Sequence, residues 1–174
     1  MYRLLDMVSP IEGDCGELCG CICCDCEALV EAARKSELVM YLLPGEEKVF
    51  TRKEDWLTWS VDPAGNYGFP ASWHGAVYRV KCKTPPHCVR ELRPLQCRTF
   101  PLAPHLMLDG AFHLVWNTDP LPYRCPLVAE MAPLQKSFIQ ATFTVWKRLI
   151  RDPLIYDLVE LDSGYRGLDV DIVI

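Results

Sequence analysis

The sequence predicts a small α+β fold: a loop-rich, cysteine- and metal-centred half with short strands, followed by a C-terminal helical pair. Three observations carry that expectation. The chain has 174 residues, 50% hydrophobic and 24% charged, so it can bury a core, and 1–174 reads as one domain, since a single core organises about 100–200 residues. Two short apolar runs, His105–Leu108 and Phe112–Trp116, flank Asp109-Gly110, the strongest hairpin pattern in the chain. Leu134, Phe138, Ala141, Val145 and Leu149 recur at helical spacing, and Ile139, Thr142, Trp146 and Ile150 widen that face, as an amphipathic helix requires.

In chain order, a short helix over Tyr2–Val8 opens the chain and Ser9-Pro10 stops it, because proline restricts the residue before it. Gly13, Gly16 and Gly20 punctuate the cysteine-dense stretch Cys15–Cys26 and suit tight backbone turns around a bound centre. Ala28, Ala32 and Ala33 favour a helix over Glu27–Leu38. The apolar run Val39–Leu43 reads as a buried strand, and Pro44-Gly45-Glu46-Glu47 starts a helical turn with acids at its positive end. Residues 51–76 carry Trp56, Trp59, Tyr67, Phe69 and Trp73 among Pro63, Gly65, Gly68 and Pro70. They read as a loop-rich segment whose aromatic rings form a local core.

Partial alternation predicts a half-buried strand over Ala76–Cys82. Beyond the hairpin and Cys125-Pro126, Pro133 precedes the long helix. Asp152-Pro153 ends that helix and caps a second over Pro153–Leu161, since aspartate suits the cap and proline the first turn. Leu168, Val170, Ile172 and Ile174 alternate with Asp169 and Asp171. That tail is either an edge strand or an apolar segment, Leu168–Ile174, that docks on a protein partner.

Charge and motifs exclude several functions. Lysine plus arginine number 18 against 23 acids, a net charge of −5, where a nucleic-acid binder shows a basic excess. No apolar run approaches the ~18 residues that span a membrane, so neither nucleic acid nor membrane is an expected partner. The glycines form neither a dinucleotide fingerprint nor a phosphate loop. The N-terminus lacks a basic stretch leading into an apolar one, so the expected compartment is the cytoplasm and the thiols are expected to be reduced. A disulfide scaffold is the competing reading, and a chain of this length does not need one.

The cysteines are the outlier: ten in the chain. Cys15, Cys19, Cys23 and Cys24 form a C-x3-C-x3-C-C pattern, with Cys82, Cys88, Cys97 and Cys125 downstream. Thiolates bind zinc or iron–sulfur clusters, four to a centre, so eight ligands divide into two sets of four or into mixed sets. Neighbouring side chains in extended backbone point to opposite faces, which favours mixing at Cys23-Cys24. Cys21 and Cys26 read as small buried residues. Between Glu12 and Glu27 the charges are all acidic, whereas Arg79–Arg98 holds six bases and the single acid Glu91. If the two segments meet, Arg93 and Arg98 orient and neutralise the thiolates; the alternative is a solvated basic face. His87, beside Cys88, is a substitute ligand or a turn residue.

The stretch Arg93-Pro94-Leu95-Gln96-Cys97-Arg98-Thr99-Phe100-Pro101 lies between the double cysteine and Cys125-Pro126. With that setting it resembles the YkgJ-type cysteine-cluster family, described as zinc- or iron-chelating CxxCxxCC proteins and related to a module of flagellin lysine N-methylases. The resemblance covers roughly Cys15–Leu127. It implies Cys15, Cys19, Cys23, Cys24, Cys82, Cys88, Cys97 and Cys125 as metal ligands. The first group is spaced by three residues rather than the two of the family's name.

Three functions follow. The first is a metal-binding protein holding zinc, ahead of an iron–sulfur cluster, with no reaction assigned. The second is a lysine N-methylase-like enzyme that uses an iron–sulfur cluster. The third is an interaction protein whose metal is purely structural. Catalytic residues are unassigned, and the sequence leaves open whether the chain is an enzyme.

Overall fold

The computed structural model describes residues 1–13, 15–20, 39–83, 92–119 and 123–174. The helix expected over Glu27–Leu38 lies outside them, as do Cys21, Cys23, Cys24, Cys26, His87 and Cys88. The described chain is a small α+β fold: α1 (Tyr2–Leu5), α2 (Cys15–Cys19), β1 (Met40–Tyr41), β2 (Leu57–Pro63), β3 (Ala76–Cys82), α3 (Leu95–Thr99), β4 (Leu102–Leu106), β5 (Phe112–Trp116), α4 (Pro126–Ala129), α5 (Lys136–Leu149) and α6 (Pro153–Arg166).

The helical pair follows the periodicity. α5 buries Phe138, Thr142, Val145, Trp146 and Leu149, a stripe that repeats every three or four positions. At the start of α6 the Asp152 side chain accepts a 2.9 Å hydrogen bond from the Leu154 amide, satisfying one of the donors that a helix leaves open. The helix then runs past Leu161 to Arg166, and tertiary contacts explain the extension. The Ser163 hydroxyl donates to the Val159 carbonyl and accepts from the Leu106 amide. Arg166 donates to the Pro104 carbonyl and pairs with Asp119 through two nitrogens. Gly167, at φ 78°, ends the helix.

β4 and β5 form the hairpin with His105 opposite His113. Gly110, at φ 81°, turns the chain. β4 begins at Leu102, earlier than expected, because Leu102, Ala103 and Pro104 are themselves buried. The tail lies along β5: Leu114 donates to Ile174, Val173 to Leu114 and Trp116 to Asp171. Residues 171–174 thus pair with β5 through these bonds and one isolated bridge, Val115 to Ile172, without forming the edge strand expected over Leu168–Ile174.

The second sheet is antiparallel, in the order β1-β3-β2. β2 lies inside the segment expected to be loop-rich. Its residues alternate as Leu57, Trp59 and Val61 against Thr58, Ser60 and Asp62, and all seven pair with β3. Nor do the aromatic rings form one local core. Trp73 joins the main core with Leu43, Val77, Leu114, Phe138, Val145 and Leu158, whereas Trp56 belongs to a second cluster with Leu42, Phe50, Leu57 and Val80.

Side chains two apart share a strand face, so this sheet has two different sides. Met40 opposite Val80, and Trp59 opposite Val80, put Met40, Val80, Cys82, Leu57 and Trp59 on one side, against the second cluster. Tyr41 opposite Arg79 puts these two on the other side with Val77, towards the main core.

Several short elements also differ from expectation. α1 stops at Leu5 rather than Val8. Cys15–Cys19 is helical with Gly16 inside it, while Gly13 and Gly20 keep left-handed φ values at its flanks. The turn after Pro44 is a 3-10 turn over Glu46–Val49. Among the described residues no helix is long and apolar enough to cross a membrane.

Candidate functional site

Helix α3 carries the centre of the Arg93–Pro101 motif, and three distant segments hold it. The first is the turn at Glu46, whose carboxylate is buried. Oε1 accepts from the Tyr2 hydroxyl at 2.5 Å and the Leu95 amide at 2.6 Å, and Oε2 accepts from the Leu43 amide at 2.9 Å. Leu95 opens α3, so Glu46 acts as a helix cap supplied from 49 positions earlier. Burial raises the Glu46 carboxyl above its usual range, while the three donors and the Arg98 charge pull it back. Burial and then the Glu46 carboxylate push the Tyr2 hydroxyl up, which keeps it a donor.

The second segment is α1. Arg98, with a side chain 4% exposed, reaches Asp6 Oδ1 at 2.6 Å and the Tyr2 carbonyl at 3.1 Å. Its Nε donates to the Arg93 carbonyl at 2.9 Å, and its guanidinium sits 4.5 Å from the Tyr2 ring centre. Charge pairing, carbonyl capping and cation–π attraction therefore act through one side chain.

The third segment is β1. Gln96 donates to the Tyr41 carbonyl at 3.1 Å, and Cys97 Sγ lies 3.5 Å from Met40 Sδ. Cys82 shares a sheet face with Met40, two residues beyond its partner Val80, a diagonal spacing of about 7–8 Å. Of the eight candidate ligands, Cys97 thus touches Met40 and Cys82 lies on the same sheet face as Met40, in the second apolar cluster.

The other described candidates sit elsewhere. Cys15 opens α2 and Cys19 closes it. Cys125 is buried and stands just before α4, its carbonyl accepting from Ala129. Among the described residues no group of three or more His, Cys, Asp or Glu side chains comes together to hold a metal. Cys23, Cys24 and Cys88, together with the alternative ligand His87, lie outside the described residues.

The sequence reading missed Tyr2, Asp6 and Glu46, whose importance arises from contacts across 44 to 96 positions. It also missed a cleft of about 470 Å³ on the opposite side of the sheet, lined by Val39, Tyr41, Tyr67, Phe69, Arg79 and Asp162 among others. No family model, no curated protein and no solved structure matches this chain.

Proposed function

We propose that this chain is a metal-binding protein of the YkgJ-type cysteine-cluster kind, holding zinc or an iron–sulfur cluster through thiolates. The candidate ligands are Cys15, Cys19, Cys23, Cys24, Cys82, Cys88, Cys97 and Cys125. The observation that supports this reading is that Cys97 touches Met40 and Cys82 shares the sheet face of Met40, two positions beyond its partner Val80. One thiol stands on a helix braced from three directions and the other on a paired strand. A metal site needs ligands on rigid elements, and both are. Arg98 contributes by fixing α3, and its charge lies next in sequence to Cys97. The reading includes a reducing, cytoplasmic compartment, where thiolates remain available.

Zinc bound by four thiolates is closed and colourless, whereas iron–sulfur clusters need the same donor number and absorb visible light. Purification without oxygen, followed by metal and sulfide analysis and a visible spectrum, tests the proposal. Stoichiometric zinc in colourless protein, or iron with acid-labile sulfide in brown protein, is the expected result. Cys97→Ser and Cys82→Ser should lower both metal content and melting temperature, because binding energy at such sites is also folding energy. Metal-free, folded wild-type protein overturns the proposal. If the two serine variants keep full metal content, Cys82 and Cys97 are not ligands.

A further inference from the structure

The cleft on the other side of the sheet contains two charged groups that do not satisfy each other. Among the described residues, Asp162, half-buried on α6, accepts no hydrogen bond and forms no ion pair, and Leu158 and Leu161 stand beside it in the cleft wall. Arg79, on β3, forms an ion pair with Asp62 and lies 5.5 Å from the Tyr67 ring centre, and among the described residues its buried Nε has no acceptor. The wall between them is aromatic and rigid. Phe69 stacks on Trp73 at 4.6 Å and meets Tyr41 edge-on at 5.0 Å and Tyr67 at 5.3 Å. The Trp73 Nε1 donates to the Leu154 carbonyl at 2.8 Å, which ties this aromatic wall to the helix that carries Asp162.

A carboxylate half-buried against an apolar wall keeps only part of its hydration, and aromatic faces attract organic cations. The cleft volume, about 470 Å³, lies within the range of small-molecule sites, about 300–1,000 Å³. We infer that this cleft binds a small amino-acid-like zwitterion with an apolar body, its ammonium on Asp162 and its carboxylate on Arg79. The apolar body lies against Tyr41, Tyr67 and Phe69. In keeping with this, burial raises the Asp162 carboxyl to about 6, with Asp119 adding to the rise and Arg166 opposing it. Groups shifted in this way concentrate at functional clefts.

The full-length protein is first screened by melting temperature against the standard L-amino acids at millimolar concentration. L-phenylalanine, phenethylamine and 3-phenylpropionate are then compared by calorimetry. An apolar or aromatic amino acid should raise the melting temperature. Phenylalanine should bind at least tenfold more tightly than either analogue, each of which lacks one charge. Asp162→Asn should weaken phenylalanine and phenethylamine at least tenfold and leave phenylpropionate unchanged. That variant should fold, because it removes a charge that burial disfavours, and circular dichroism checks this. Arg79→Gln should show the reverse ligand pattern. The inference is overturned if no amino acid shifts the melting temperature, if phenylalanine binds Asp162→Asn as tightly as wild type, or if both analogues match phenylalanine.

Discussion

Replacing Arg98 by methionine keeps the apolar stem and removes the guanidinium that joins α3 to α1. The variant loses an ion pair at 2.6 Å, hydrogen bonds to two carbonyls and the stacking on Tyr2. Breaking a fully buried charge pair costs about 3–5 kcal/mol, and a hydrogen bond to a charged group about 1.5–3 kcal/mol. The Asp6 side chain is 30% exposed, so water recovers part of its solvation and the expected loss sits at the lower end, about 3 kcal/mol. For a chain of this size each kcal/mol moves the midpoint by about 2–4 °C, which gives a fall of about 6–12 °C. Urea titration and thermal melting of the wild type and the variant measure it directly. A cycle with Asp6→Asn should give a coupling of about 1–2 kcal/mol, less than the whole because the carbonyl contacts are independent of Asp6. Arg98→Lys should recover little, since an ammonium cannot span Asp6, Tyr2 and Arg93 as the planar fork does. A loss below about 1 kcal/mol for Arg98→Met would refute the brace.

Other consequences are as specific. His105 is fully buried and neither ring nitrogen is hydrogen-bonded among the described residues, so His105→Leu should stabilise the protein by about 1 kcal/mol near neutral pH, read by urea denaturation. Burial, then Arg166 and His113, hold the His105 imidazole below its ordinary 6.5. Its folded form therefore resists protonation, and stability present above pH 6.5 should fall as the pH drops below that value. The leucine variant should lose that acid slope. Trp73→Phe removes the bond to the Leu154 carbonyl and should cost about 1–2 kcal/mol in the same assay. Deleting residues 168–174 removes the partners of the Leu114 and Trp116 amides, which should then exchange with solvent markedly faster in a hydrogen-exchange experiment.

What the sequence reveals about this fold depends on how local each determinant is. α5 and the hairpin were legible because periodicity and the Asp109-Gly110 turn act within a few residues. β2 was legible in principle from the alternation of Leu57, Trp59 and Val61, but the surrounding prolines and glycines pointed to loop. The end of α6 was hidden, because Ser163-Gly164 resembles a stop until Leu106 and Pro104 supply partners for Ser163 and Arg166. α3 is five residues long and capped by Glu46, so no window around it could reveal it. Among the candidate ligands, cysteine type and spacing drew attention to Cys82 and Cys97. The contact of Cys97 with Met40, and the sheet face that Cys82 shares with Met40, emerge only in the folded chain. The residues around Asp162 belong to four separate stretches of chain, and no motif joins them.

The closing stretch Ser163–Ile174 does more than finish α6. On one flank of the β4–β5 hairpin, Ser163 and Arg166 occupy the outward polar groups of Leu106 and Pro104, and Pro104 has no amide to offer. On the other flank, Asp171, Val173 and Ile174 engage the backbone of Leu114 and Trp116. An open strand edge is a template for another chain to add to. Here one continuous segment shields both flanks of an apolar hairpin, so protection against intermolecular strand addition rests on the last residues staying in place. Loss of those residues would show first as self-association.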